Sequence, residues 1–308
     1  MTKEQVVILD AIHLLGSLYT DQGKLVEAGK MYQQALQGKE KALGVEHTST
    51  LNTVGSLGNL YAHQGKVGEA EEMYQRALQG FEKALGEEHT STLSTVNNLG
   101  NIYIDQGKLD EAEKMCQRAL QGYEKTLGEE HTSILNAVSS LGNIYRDQGK
   151  LDEAEKMYQR ALQGYEKTLS VEHTSILNTV GNLGNLYIDQ GKLDEAEKMY
   201  QRALQGYEKA LGVDNTTIYI PALNSIWGLG YVFERQGDLA KARIMFSNAL
   251  AGYEKVVGPD HLKCRRLRDK LQALDTVTEN NILMDVREPA NKFRGETSHL
   301  GAQGTLSK

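Results

Sequence analysis

Four histidines, His47, His89, His131 and His173, recur 42 residues apart, and histidine at fixed intervals is the raw material of zinc sites and acid–base catalysts. Their arrangement argues against both. One histidine per structural unit, each in an equivalent loop, places neighbours about one helix spacing apart, roughly 8–10 Å, whereas zinc needs its nitrogens within about 2.1 Å of one point. A loop-packing or helix-starting role is expected instead, with Asn215 at that position in the fifth unit. Each Gly-Lys pair, such as Gly107-Lys108, is followed by Leu or Val where a phosphate-cradling loop needs Ser or Thr, and the upstream glycine of such a loop is missing. Carboxylates such as Glu111 and Glu113 fall on solvated helix faces, and Tyr61, Tyr103, Tyr145 and Tyr187 recur at core spacing. Cys116 stands where other units have Tyr74, Tyr158 and Tyr200, which makes it a core residue. With Cys264 it completes a pair too small for a disulfide framework, so both are expected as reduced thiols. No catalytic residue, metal or cofactor is expected, and the chain does not read as an enzyme.

Composition supports a binding role. The 308 residues include 3 prolines, 6% aromatics and 24% charged residues, a balance that suits a soluble, helix-rich protein. No apolar run approaches the roughly 18 residues of a membrane span, and MTKEQVVILDAIHLL lacks the pattern of a secretory leader. A cytoplasmic setting without membrane contact is expected. The net charge of −7 disfavours nucleic acid, which calls for a basic stripe. Charge is uneven: the segment from Leu262 onward carries nine Lys or Arg against six Asp or Glu. Its cluster Lys263, Arg265, Arg266, Arg268 and Lys270 is expected on one solvated helix face.

Self-similarity decides the architecture. The segment beginning at Leu51 recurs from Leu9, Leu93, Leu135 and Leu177, and a degenerate copy starts at Leu223 after four extra residues. The units beginning at Leu93 and Leu177 are identical at 33 of 42 positions, which points to duplication. Within a unit, Leu51, Val54, Leu57, Leu60 and Tyr61 form one apolar stripe at helical spacing, and Ala70, Met73, Tyr74, Ala77, Leu78, Phe81 and Leu85 form a second. Each unit is therefore two amphipathic helices. Gly65 and Gly86 supply left-handed caps that end them, and Asp110 four residues before Lys114 suggests an ion pair along the second helix. Gly58, Ala70 and Ala77, repeated as Gly100, Ala112 and Ala119, let the two helices approach closely.

The set Leu57-Gly58, Tyr61, Ala70, Tyr74 and Ala77 resembles the tetratricopeptide repeat. The second helix runs about two turns longer than in the commonest form, as in kinesin light chains, and phrases such as GEEHTST and GNLYIDQGKLDEAEKMYQRAL look most like the arrays of fungal NB-ARC-type proteins. The resemblance implies an all-α fold, a right-handed α-α superhelix of about six helical hairpins. Residues 261–278 are expected to be the capping helix, within a solenoid spanning 1–278, and 279–308 a tail of low order. The stacked hairpins are expected to form a continuous, elongated, curved trough. Lys39 replaces the aromatic seen at Phe81 and Tyr123, so the array begins in the first unit or the chain is cut from something larger.

In such arrays the first helices line the concave face, and here those helices are rich in amides. Asn59, Asn101, Asn143 and Asn185 form one file, continued by Tyr231, and Asn52, Asn136 and Asn178 belong to a second. A carboxamide offers donor and acceptor and suits the backbone of an extended peptide; the alternative is hydrogen bonding to neighbouring helices or water. Specificity would come from positions that vary between units, among them Ile104, Arg146 and Ile188 in one set and Asn97 and Trp227 in another, unless these have simply drifted. Arg146 could pair with a ligand carboxylate, and Asp105, Asp147 and Asp189 make the groove acidic. The lysines with which chaperone-binding members of the family clamp a terminal carboxylate are missing, since the clamp position holds His13, Gly55, Asn97, Ser139, Gly181 and Trp227. The expected partner is a protein or peptide held in this groove. The alternative is a sensor or self-association module of a STAND or NB-ARC-type signalling NTPase.

Overall fold

A computed structural model describes residues 3–277, and among them every regular element is helical. The hairpins are α1 (Lys3–Asp21) with α2 (Leu25–Leu43), α3 (Thr48–His63) with α4 (Val67–Leu85), α5 (Thr90–Asp105) with α6 (Leu109–Thr126), α7 (Thr132–Asp147) with α8 (Leu151–Thr168), and α9 (Thr174–Asp189) with α10 (Leu193–Leu211). The four inserted residues are absorbed in the single turn α11 (Val213–Thr216), before the sixth hairpin of α12 (Ile220–Arg235) and α13 (Leu239–Val257). Residues 262–277 form a last helix, α14. The expected tail, 279–308, lies outside the described residues.

The recurring histidines start helices. Nδ1 of His47, His89, His131 and His173 accepts a hydrogen bond from the backbone N–H two residues on, at 3.1–3.2 Å, supplying an acceptor to donors that have no partner within the helix. The turn inside each hairpin relies on glycine, as at Gly107 with φ +74°.

Small residues close each hairpin, at more positions than the sequence suggested. Gly142 on α7 faces the Tyr158 ring, and a Cβ there would stand 2.7 Å from it. Gly164, near the end of α8, faces Leu135 in the same way at 2.4 Å. This second glycine, repeated in every hairpin, costs about 1 kcal/mol of helix propensity relative to alanine, and close helix contact offsets that cost. Apolar residues of successive units then merge across the middle of the stack, where Leu93, Tyr123, Leu135, Tyr165, Leu177 and Tyr207 belong to a single cluster.

Charges tie the units laterally instead of running along each helix. Arg76, Arg118, Arg160 and Arg202 each pair with a glutamate of the preceding unit, at 2.6–3.0 Å. Asp110 forms no ion pair with Lys114; among the described residues the second helices are braced across units instead. The basic cluster of α14 is likewise not one solvated face. Arg268 pairs with Glu254 at 2.6 Å and Lys270 with Glu234 at 2.8 Å, while Lys263 bonds Asn224 Oδ1 at 3.0 Å.

The first unit replaces a neutral pair with an ionic one. Tyr165 donates its hydroxyl to Asn136 Oδ1, and at the equivalent positions Lys39, only 2% exposed, pairs with Asp10 at 2.8 Å. The hydrogen bond from Lys39, followed by burial acting in the opposite sense and by the charge of Lys39, holds the Asp10 carboxyl below its usual value of 3.8. The pair therefore contributes stability above that pH, and the contribution is lost as the pH falls through the lower, folded value. Asp10→Asn should cost about 1–3 kcal/mol in urea unfolding at neutral pH, because it leaves a buried ammonium without its carboxylate. Adding Lys39→Tyr should recover most of that loss by recreating the neutral pair; a double variant no better than the single one would contradict this account.

The array is not an open trough. Val256 and Val257 of α13 pack on a cluster containing Leu25, Ala28, Tyr32, Leu57 and Leu60 of the first two units. A Cβ on Gly65 would lie 2.6 Å from His261 Nε2, and one on Gly23 would lie 3.3 Å from the carbonyl oxygen of Ile218. The hairpins thus complete about one superhelical turn, and the last unit meets the first two. Burial first, and the nearby Lys263 second, hold His261, at this seam, below its usual value of 6.5. The closed form binds fewer protons than an open one, so closure is strongest above about pH 6.5 and weakens as the pH falls through that value. X-ray scattering should show the radius of gyration rising between pH 7.5 and 5.5, and His261→Asn should suppress the rise. An unchanged radius in the native chain would contradict this.

Candidate ligand groove

Closure turns the concave face into a lumen. Its main groove, about 1140 Å³, is lined by α5, α7, α9 and α12. Of the sixteen residues singled out from the sequence, fourteen line it: Asn97, Asn101, Ile104, Asp105, Asn136, Asn143, Arg146, Asp147, Asn178, Asn185, Ile188, Asp189, Trp227 and Tyr231. Asn52 and Asn59 belong to the second unit and fall outside it.

The asparagines are oriented by tyrosines from the second helices. Tyr158 donates to Asn143 Oδ1 and Tyr200 to Asn185 Oδ1, both at 2.6 Å. In the other file Tyr165 donates to Asn136, Tyr207 to Asn178 and Tyr253 to Asn224. With the phenol holding the carbonyl oxygen, each amide keeps its two Nδ2 donors and one lone pair of the oxygen. The two readings of these asparagines therefore hold together: the oxygen serves the neighbouring helix, and the nitrogen stays available. Burial raises the phenol pKa of Tyr158, Tyr200 and Tyr207, which keeps the hydroxyls protonated as donors.

Tyr165, Tyr200 and Tyr207 also line the groove; the sequence marked Tyr200 only as core and did not single out the other two. The signal was present in the recurrent spacings of 15 and 29 residues between amide and phenol. Ser140, Asn182, Arg235 and Arg266 are further lining residues that sequence reasoning did not select.

Electrostatics depart from a simply acidic groove. Arg146 is not free for a ligand: its Nη2 pairs with Asp147 at 2.7 Å, and its Nε lies 3.7 Å from Asp189. Burial pushes the Asp189 carboxyl above its usual value, opposed by Arg146 and reinforced by Asp147. Burial likewise raises Asp105, opposed by Lys263, which reaches this region from α14. Paired charges and uncharged amides thus dominate the lining. At the far end Trp227 stacks on Tyr231, with centroids 6.2 Å apart, and its buried Nε1 has no hydrogen-bond partner.

Among the described residues no group of three or more His, Cys, Asp or Glu could hold a metal ion, and no helix is long and apolar enough to cross a membrane. Cys116 and Cys264 are buried free thiols.

Two tetratricopeptide repeat models match the chain, one at residues 8–83, 49–125, 91–167 and 133–209 and the other at 182–255. No curated protein shows significant similarity to it. Among solved structures it is similar to a Podosopora anserina putative kinesin light chain with nearly identical TPR-like repeats, at 27% identity and a TM-score of 0.51, over 68% of this chain and 99% of that one. It is also similar in fold to a Rap protein complexed with Competence and Sporulation Factor (16% identity, TM-score 0.60, 87% of this chain and 75% of that one). NprR in complex with its cognate peptide NprX matches over 97% of this chain and 84% of that one, with 16% identity and a TM-score of 0.64. Repeated hairpins, glycine-seated tyrosines and family models spanning nearly all of the described residues lead to one assignment: the chain belongs to the tetratricopeptide repeat family.

Proposed function

We propose that the chain is a protein-interaction scaffold whose lumen holds an extended peptide segment, gripping its main chain with side-chain amide donors. The observation that carries this reading is the orientation of Asn143 and Asn185, whose oxygens are occupied by Tyr158 and Tyr200 and whose nitrogens are not. An extended peptide presents carbonyl oxygens at regular intervals, and a file of fixed donors meets them without demanding particular side chains. NprR, similar in fold, is recorded with a peptide bound. The paired charges of the lining suit a neutral or weakly basic segment. Two buried free thiols fit a reducing, cytoplasmic setting.

A phage-displayed dodecamer library panned on the folded chain tests the proposal. It should yield peptides that bind one per chain and lose affinity when groove amides are removed. Recovery of no binder, or of binders indifferent to those changes, would overturn the reading.

A second reading, self-association, draws on one observation. On α1, Leu14, Leu15 and Leu18 are 66%, 37% and 51% exposed, whereas Leu57 and Leu60, equivalent to Leu15 and Leu18 in the next unit, are 2% and 1% exposed. Light scattering across a concentration series separates the readings: a mass that stays at one chain leaves self-association without support.

A further inference from the structure

The amide stations differ from one another, and the third unit stands apart. In units two, four and five the hydroxyls of Tyr74, Tyr158 and Tyr200 occupy the oxygens of Asn59, Asn143 and Asn185. In unit three the phenol is replaced by Cys116, fully buried, whose Sγ would sit 2.7 Å from a Cβ on Gly100. Burial pushes this thiol up to about 12, so it stays protonated; it is a weak donor and lacks the reach of a phenol. Among the described residues the Asn101 side chain has no hydrogen-bond partner, and the residue lines the groove.

An independent feature lies one helical turn away. Asn97, four residues before Asn101 on α5, lines the groove and is only 7% exposed. Its Oδ1 is buried and has no partner, and its Nδ2 reaches Ser140 Oγ only at 3.5 Å, the long limit of a hydrogen bond. An unpaired acceptor at such depth is unfavourable and uncommon; it is covered as the side chain stands, and a turn of the side chain into the groove brings it to an incoming N–H. Units two, four and five carry Gly55, Ser139 and Gly181 at this position, so the feature belongs to unit three alone among the central hairpins.

We propose that Asn97 and Asn101 form the recognition centre of the groove, a two-residue clamp that takes one uncharged amide of the ligand by accepting its N–H and donating to its carbonyl oxygen. The amide is either a main-chain peptide group or the carboxamide of an Asn or Gln side chain. This inference rests on the groove reading above and adds to it a place and a chemistry: at the other stations a phenol already engages the amide oxygen, whereas here both amide oxygens are left to the ligand. Cys116 acts as a positioning residue, since it leaves Asn101 free.

The test uses a dodecamer recovered from the display library on the native chain, with its affinity measured by calorimetry. Cys116→Tyr installs the side chain that the neighbouring units carry, opposite the same kind of glycine, so the melting temperature should hold or rise. The new phenol should take the Asn101 oxygen and weaken peptide binding at least fivefold, while Cys116→Ser, too short to reach it, should bind as the native chain does. Asn97→Gly, the residue of units two and five, should also weaken binding at least fivefold and gives the answer if Cys116→Tyr fails to fold. An alanine scan and single-site N-methylation of the peptide identify the source of the amide. Loss at one Asn or Gln marks a side chain and loss at one peptide bond marks the main chain, and either result supports the clamp. Native affinity in both Cys116→Tyr and Asn97→Gly overturns the clamp, even where loss of Asn143 and Asn185 still weakens binding and the groove reading survives. Failure to recover any peptide overturns both.

Discussion

Leucine at Ala154 is expected to lower the unfolding free energy by roughly 1–3 kcal/mol and to divide a single denaturation transition into two. Ala154 is fully buried on α8, in a cluster with Tyr158, Leu183 and Leu186. It therefore lies where the fourth hairpin meets the fifth. Three additional carbons have no space between two helix backbones already in contact, and relief requires off-rotamer side chains or a shift of α9. In a stacked array each hairpin is stabilised mainly by its neighbours, so damage to one central interface uncouples the units on either side. Urea unfolding followed by circular dichroism checks both the size and the splitting. A variant with native midpoint and one transition would contradict the packing described for this interface.

The second large effect concerns the ligand. Substituting Asn143 or Asn185 by alanine would confound binding with folding, because the buried hydroxyls of Tyr158 and Tyr200 would lose their acceptors, at about 1–3 kcal/mol each. Removing each pair as a pair avoids that. Asn143→Leu with Tyr158→Phe, combined with Asn185→Leu and Tyr200→Phe, exchanges two satisfied polar pairs for apolar ones of similar shape, a change that can be nearly neutral for stability. Two ligand-facing donors are lost, so affinity for a library-derived peptide should fall by about 1–3 kcal/mol, counting roughly 0.5–1.5 kcal/mol per hydrogen bond. Calorimetry at matched melting temperature measures it. Undiminished affinity would assign the peptide to another surface.

Local and pairwise features were legible in the sequence. The 42-residue spacing, the two stripes per unit and the buried role of Cys116 follow from periodicity and residue type, which act over a few turns of helix. Most of the groove was legible for the same reason, since equivalent positions of first helices share a face. Closure was not legible, because it depends on small rotations between hairpins that accumulate over six units, and no single residue encodes their sum. The fate of Arg146 was also hidden: Asp189 lies one unit further on and approaches it only once the stack has formed. The basic cluster was misread because alternating residues of α14 meet different partners, Glu254, Glu234 and Asn224. The glycine late in the second helix was visible as a recurrent Gln-Gly in the first five units, and its purpose needed the leucine opposite, 29 residues earlier at Leu135 and Gly164.

The most direct test of the central claim, that a lumen of tyrosine-oriented amides receives the ligand, is a titration of the nitrogen-15-labelled chain with a library-derived dodecamer, observing the asparagine side-chain amides by NMR. Resonances of Asn97, Asn101, Asn143 and Asn185 should shift together and saturate at one peptide per chain, while those of Asn215, outside the groove, stay in place. Shifts confined to residues on the outer helices, with the groove amides unmoved at saturation, would contradict the account.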